Sequence, residues 1–233
     1  MRDRISITCG CLIYRSRDWL TFFLDGVCSA RNARTQSVLH IVANDPTPDV
    51  AADPRVSLIH RNPDPEEYYM RRVYRALNRL VETAPTDLIV LLNSDMIVSD
   101  YWLDELYALY LEFDGRVAAT SLLVESGRLR SAIPEYVRDF GRTKHTFDWF
   151  GWRTHAARLR DEHVGWADGR LFGPLLIHRE VFRKAGGYPI GNVSGVGTGD
   201  RVFFDCLAAM GYPHRMALRS VVYHVQIGEQ EDV

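Results

Sequence analysis

The stretch "LIVLLNSDMIVSD", Leu88 to Asp100, decides the fold. Leu88 through Leu92 are branched aliphatic residues preceded by "APTD", the length and composition of a strand buried on both faces in a parallel sheet. The run then delivers Asn93, Ser94 and Asp95 together at the strand's carboxyl end. In open α/β sheets ligands bind outside that edge, so a carboxylate there is placed for a substrate or a metal ion. The competing role for Asp95 is to cap the next helix. Asp100, just before "YWLDELYALYLEF", is expected to fill that role instead.

Outward from this stretch, strand and helix patterns alternate. "ISITCGCLIY" reads as a strand, "DWLTFFLDGVCSARN" as a helix, "SVLHIVAND" and "VSLIHR" as strands. "DPEEYYMRRVYRALNRLVETA" carries apolar residues at helical spacing, with Asp64 and Pro65 at its start and acidic residues in its first turn. This alternation predicts a doubly wound, Rossmann-like, mainly parallel α/β sheet flanked by helices. Residues 125–165 break the pattern with an aromatic, Arg-rich insertion that shows no clear strand, the composition of a lid, a binding segment or an interaction surface. Beyond it, "GRLFGPLLIHREVFRKAGGYP" gives a turn, a strand and a short helix. "SGVGTGDRVFFDCLAAMGY" is a glycine-rich loop entering an amphipathic helix, and "RSVVYHVQIG" closes as a strand carrying His224.

The 233 residues are enough for one large domain with a substantial core, and 46% apolar with 25% charged residues is ordinary for a globular protein. A formal net charge of -2 supplies no field suited to nucleic acid, so nucleic acid is not an expected partner. The basic residues are nearly all Arg, with Lys at Lys144 and Lys184, and Arg suits diphosphate recognition. Cys9 and Cys11 share a strand face without disulfide geometry, and Cys28 and Cys206 complete no metal-ligand spacing. Buried, reduced thiols are therefore expected. No apolar run has the length of a membrane span, and "MRDRISITCG" lacks a signal peptide's apolar core; a cytoplasmic location, or a peripheral one at a membrane, is the expectation.

Polar residues recur where strands end or helices begin: Asn44 and Asp45 in "AND", Asn93 to Asp95 in "NSD", and Gly199 and Asp200 in "GD". With a late His and a basic helix, such a set can hold a nucleotide diphosphate through a divalent cation, because a hard cation takes oxygen ligands and offsets the leaving group's charge. The loop before Asp200 is neither a P-loop nor a dinucleotide fingerprint. Asp200 is then either an N-cap or a general base. His224 is either a core strand residue or a ligand, and Arg71, Arg72 and Arg75 either a solvated helix face or a phosphate contact.

In this order the motifs resemble the GT-A-type glycosyltransferases of family 2. "CLIYRSRDWL" resembles the family's opening strand and turn, "LHIVANDPTPD" the segment usually read Val-Asp-Asp-Gly-Ser-Thr-Asp, and "YRALNRLVETAPTDLIVLLNSDM" the helix, strand and Asp-X-Asp signature. "GGYP", "GD" before a helix, "MGYP" and the late His follow in the family's sequence, so the match runs from Ile5 to His224 outside the insertion. The resemblance implies a single GT-A domain over 1–233, with a nucleotide-sugar-binding half at 1–124 and an acceptor-binding half at 125–233. It implies Asp95 and His224 at a Mn²⁺ or Mg²⁺ ion and Asp200 as catalytic base. The donor, a UDP-, GDP- or TDP-sugar, is assigned to Tyr14, Asn44, Asp45, Arg71, Asn78, Asn93, Ser94 and Asp95. The acceptor, a glycan or lipid-linked glycan as in polysaccharide biosynthesis, is assigned to Trp166, Asp168 and Gly173. Asn93 stands where the signature has its first Asp and Asn44 where a nucleotide Asp is usual, which removes two carboxylates.

The reading is therefore a hexosyltransferase that moves a sugar to an acceptor hydroxyl with inversion. Trp149, Trp152 and Trp166 offer faces for sugar rings, against a role as a hydrophobic plug over the sheet. A sugar nucleotidyltransferase and a catalytically inactive GT-A-like glycan-binding protein stay open as alternatives. The first would need a Gly-rich basic loop, and "YRSRDWL" contains no Gly. Oligomeric state stays open, and the aromatic segment is large enough to serve a homodimer interface.

Overall fold

The structure is a computed structural model that describes residues 4–64, 66–129, 132–170, 172–191 and 199–226. The glycine-rich segment before Gly199 lies outside the described residues. Among the described residues nine strands form one sheet, in the order β3 (Leu58–His60), β2 (Thr35–Asn44), β1 (Ile5–Ile13), β4 (Leu88–Asn93), β8 (Leu175–His178), β6 (Ala118–Glu125), β9 (His214–His224) and β5 (Met96–Val98), with β7 (Trp166–Asp168) paired to β9. Four of them, β3, β2, β1 and β4, make a continuous parallel block. β8 runs against both β4 and β6, and β6 is parallel to β9. Short antiparallel partners of β9, β5 and β7, complete the sheet.

Because β4 and β6 oppose the same strand and β9 follows β6, the carboxyl ends of β1, β2, β4, β6 and β9 share one edge of the sheet. Helices cover both faces, as the alternation predicts. Side chains of β1 split between two cores: Ile7, Cys9, Cys11 and Ile13 pack with Phe22 and Phe23 of α1 (Arg17–Ser29) and with α4 (Trp102–Glu112). Leu12 faces the opposite side with Tyr74, Leu77 and Leu80 of α3 (Tyr69–Thr83) and Phe203 of α7 (Gly199–Ala209). A Cβ at Gly10 would stand 2.3 Å from Leu80 Cδ2, so this glycine sets how closely α3 approaches the sheet. The chain also contains α2 (Pro48–Ala51), α5 (Trp149–Glu162) and α6 (Arg179–Lys184), and no described helix is long and apolar enough to cross a membrane.

Several sequence expectations are corrected here. Asp100 does not cap α4. Tyr101 occupies the N-cap position with φ of 64°, while the Asp100 carboxylate takes the backbone N–H of Arg31 at 2.9 Å and its guanidinium at 2.6 Å. Asp104, in the first turn of α4, is committed elsewhere too: buried, it accepts from the backbone N–H groups of Ala33, Arg34 and Thr35 and from the Thr35 hydroxyl. α3 begins at Tyr69, later than its sequence signals, and has no acidic residue in its first turn; Glu67 lies upstream and binds Arg75 at 2.9 Å. Cys28 and Cys206 are exposed on helix surfaces, whereas Cys9 and Cys11 are buried, and all four are free thiols.

The insertion contains α5, which its sequence did not announce. Phe147, Trp152, Ala156 and Leu159 are buried, and Phe140, Phe147 and Trp152 all pack on Tyr223 of β9, with ring centroids 5.4 to 5.7 Å apart. Trp149 joins them through Phe147 at 4.8 Å. Trp149 and Trp152 are thus part of a hydrophobic plug on the sheet.

Candidate active site

Four of the strands that end at the shared edge, β2, β4, β6 and β9, finish on a polar residue. β4 ends at Asn93, and after a two-residue turn Asp95 leads into β5; β6 ends at Glu125 and β9 at His224. The β5–β9 register pairs Met96 with His224 and the β6–β9 register pairs Glu125 with His224, which holds the imidazole between two carboxylates. His224 Nε2 lies 3.4 Å from Asp95 Oδ2, and Nδ1 lies 3.1 Å from Glu125 Oε1. Glu125 Oε1 also accepts from Gln226 Nε2 at 2.9 Å, while Oε2 has no hydrogen-bond partner among the described residues. Burial alone would drive the imidazole down, but the Asp95 and Glu125 carboxylates outweigh it and raise His224 to about 10.

These groups open on a cleft of about 400 Å³ whose wall includes Asn93, Met96, Glu125, Gly173, Asp200 and His224. Buried Leu77, Leu91 and Leu123 give it an apolar lining, and exposed Arg170 also borders it. Asp200 reaches the cleft from the first turn of α7. Burial lifts its carboxyl to about 6, against a smaller downward pull from the Tyr74 hydroxyl beside it. A carboxyl held near 6 can lose and take a proton close to neutral pH, as general base catalysis requires.

A second polar group lies at the carboxyl end of β2. Asn44 is buried and bonds Asn62 Nδ2 at 2.8 Å; Asp45, with φ of 48°, takes Asn62 Nδ2 at 2.7 Å and the Asn62 backbone N–H at 2.9 Å. Arg72 pairs with Asp45 at 3.6 Å and lies over the Tyr69 ring, and Tyr69 packs on Tyr14 at 5.7 Å. Arg71 pairs with Glu67 at 3.7 Å.

Of the residues singled out from the sequence, Asn93, Gly173, Asp200 and His224 line the cleft, with Asp95 against His224 and Ser94 buried beside it. Tyr14, Asn44 and Asp45 form the neighbouring group. The structure does not bring Asn78, Trp166 and Asp168 to the cleft. Asn78 uses both ends of its amide on the Tyr188 backbone, at 2.9 and 2.8 Å. Trp166 donates to Glu112 and lies edge-on to Phe113; Asp168 is paired with Arg215 at 2.8 Å. Asp168 is opposite Arg215, which is opposite Ala119, and from Ala119 to Glu125 β6 advances about 20 Å at strand rise. Glu125 and Asn62 are the residues that motif reading passed over. The signal for Glu125 was a carboxylate ending the run "AATSLLVE", all of it buried.

Asp95 and His224 are chemically suited to a divalent ion. A carboxylate oxygen and an imidazole nitrogen converge, and among the described residues no third His, Cys, Asp or Glu completes a protein cage. Mg²⁺, and Mn²⁺ with its tolerance of imidazole, are bound in this way, with substrate oxygens and water filling the remaining positions.

Sheet order, two-sided helix cover and polar carboxyl edge define the GT-A fold, and solved structures share it. No family model matches the sequence, and no curated protein matches it. Among solved structures, GalNAc-T7 with UDP, GalNAc and Mn²⁺ aligns over 97% of this chain with a TM-score of 0.64 at 13% identity. TarS of S. aureus aligns over 97% with a TM-score of 0.60 at 10% identity. The mannosyltransferase PcManGT from Pyrobaculum calidifontis, in complex with GDP-Man and Mn²⁺, aligns over 96% with a TM-score of 0.58 at 17% identity. The chain spans 44%, 38% and 58% of these proteins' lengths.

Proposed function

We propose that this protein is a nucleotide-sugar-dependent glycosyltransferase that inverts the anomeric centre and uses Mn²⁺ or Mg²⁺. The observation that carries the reading is that His224, with Asp95 against its imidazole, and Asp200 meet at one cleft at the carboxyl edge of a GT-A sheet. Neighbours of the same fold hold UDP or GDP-Man together with Mn²⁺. Residues 1–124 form the donor half, in which Tyr14, Asn44, Asp45 and Arg71 meet the nucleotide and Asn93, Ser94 and Asp95 meet the diphosphate and sugar. Residues 125–233 form the acceptor half, with Gly173 at the cleft.

Asp95 and His224 would hold the metal ion, and Glu125, on the far side of the imidazole, fixes the ring so that Nε2 faces Asp95. A bound Mn²⁺ or Mg²⁺ supplies positive charge that stabilises the leaving diphosphate. The ionised Asp200 carboxylate takes the proton of the acceptor hydroxyl as that oxygen bonds to the anomeric carbon. The bond from that carbon to the diphosphate breaks on the opposite face, and its electron pair leaves with the diphosphate. A positioned base of this kind contributes about 10²- to 10⁴-fold. The acceptor is a glycan or lipid-linked glycan, and its hydroxyl approaches between Asp200 and Gly173.

Release of nucleoside diphosphate from a panel of UDP-, GDP- and TDP-sugars, with Mn²⁺, with Mg²⁺ and with chelator, tests the proposal. Metal-dependent release from one donor, lost in Asp200→Asn while donor binding persists, is the expected result. Silence across the panel, with no nucleotide raising the melting temperature, would favour a glycan-binding protein in which Asn93 and Asn44 have replaced working carboxylates.

A further inference from the structure

We propose that Tyr74 is a positioning residue for the transfer assigned to this cleft, its buried phenol held in place to donate a hydrogen bond to the ionised Asp200 carboxylate. The proposal rests on the reading of Asp200 as the base. Tyr74 is 1% exposed, and its hydroxyl has no hydrogen-bond partner among the described residues. A buried phenol normally finds one, because leaving it unpaired costs stability that a Phe in the same place would not lose.

What the hydroxyl faces is the start of α7. A Cβ built on Gly199 would stand 2.3 Å from Tyr74 Cε2 and 2.9 Å from its hydroxyl oxygen, so a side chain at 199 is excluded by this phenol. The next residue is Asp200. The ring cannot easily swing aside. It stacks on Tyr188 at 5.2 Å with 14° between planes, Tyr188 packs on Phe203 of α7 at 4.7 Å, and the Tyr188 backbone is clamped by Asn78. The Asn78 amide, absent from the cleft, thus acts at its margin by fixing the ring that fixes Tyr74.

The charged and titratable groups around Asp200 single out this phenol. Tyr74 and Tyr188 face it from α3 and the turn after α6. On its own helix Arg201 is paired with Asp205 at 3.9 Å. Glu125, His224 and Arg170 line the same cleft. A phenol donating to one carboxylate oxygen leaves the other directed at an acceptor hydroxyl, and it favours the ionised form that burial penalises.

The test is the Tyr74→Phe variant with ¹³Cγ-labelled aspartate, the Asp200 resonance being assigned by its loss in Asp200→Asn. The titration midpoint of Asp200 should rise by about one pH unit or more, the worth of a hydrogen bond to a charged group. The melting temperature should hold at pH 4, where Asp200 is protonated, and fall modestly at pH 7, where the ionised carboxylate loses its donor. Incorporation of 3-fluorotyrosine at position 74, a stronger donor, should move the midpoint down. This variant keeps the test decisive if Tyr74→Phe folds poorly. A midpoint unmoved by either change overturns the proposal. The acid limb of kcat/KM should follow the midpoint while nucleoside diphosphate binding stays constant. A midpoint that moves without the acid limb sustains the Tyr74 contact and instead overturns Asp200 as the base.

Discussion

Asp200→Asn should stabilise the protein while removing its turnover. In the folded chain Asp200 titrates near 6 because burial penalises its charge; in an unfolded chain an Asp titrates near ~3.9. The interval is about 2 pH units, and at about 1.36 kcal/mol per unit the ionised folded state is disfavoured by up to about 3 kcal/mol. The sign follows from a raised pKa: the stabilising contribution is complete below about pH 3.9 and is lost as pH rises through about 6. Partial solvent access on the cleft side brings the expected gain at pH 7 nearer to about 1 to 2 kcal/mol. Urea unfolding of both forms at pH 7 and at pH 4 measures it. The variant should be more stable at pH 7, with the difference shrinking toward pH 4. A variant that is equally or less stable at pH 7 refutes the reasoning and makes Asp200 a helix cap.

His224 carries the opposite consequence at high pH. Titrating near 10 when folded against ~6.5 unfolded, it stabilises fully below about pH 6.5 and ceases to as pH rises through about 10, so unfolding midpoints should fall across that window. In Glu125→Gln the fall should be smaller, and Mn²⁺-dependent nucleotide affinity should drop about 10-fold or more; titration calorimetry showing no change would make Glu125 a packing group. Asp104→Ala should cost about 3 to 5 kcal/mol in urea unfolding, because three backbone N–H groups and a hydroxyl lose their acceptor in the core. A loss below about 1 kcal/mol would show that water replaces the carboxylate.

The parallel half of the sheet was legible because buried parallel strands are written as continuous apolar runs, and "LIVLLN" and "ISITCGCLIY" are such runs. The end of "LIVLLN" lies at the candidate site, so Asn93 and, in the turn after it, Asp95 could be placed at the sheet's carboxyl edge from pattern alone. α5 was not legible, since its buried face is only Trp152, Ala156 and Leu159, set among arginines and an exposed Phe150 that blur the helical spacing. Asp100 looked like a cap by position, yet tertiary contact with Arg31 claimed it. Trp166 and Asp168 fell on the wrong level of the sheet for a related reason: strand register against β9 sets depth below the carboxyl edge, and a lone three-residue strand carries no sign of its register. Glu125 was hidden because a carboxylate ending a strand reads as the start of a loop. It becomes part of the site only when the parallel β6–β9 register sets it against His224.

The most direct test of the central claim is calorimetric titration of UDP and GDP into the wild-type protein and Asp95→Ala, each with Mn²⁺ and with chelator. The account predicts saturable binding of one nucleotide to the wild type that needs Mn²⁺, and loss of that metal dependence in Asp95→Ala. Nucleotide binding that ignores both chelator and the substitution would contradict it, because the carboxyl edge of β4 would then not be the diphosphate site.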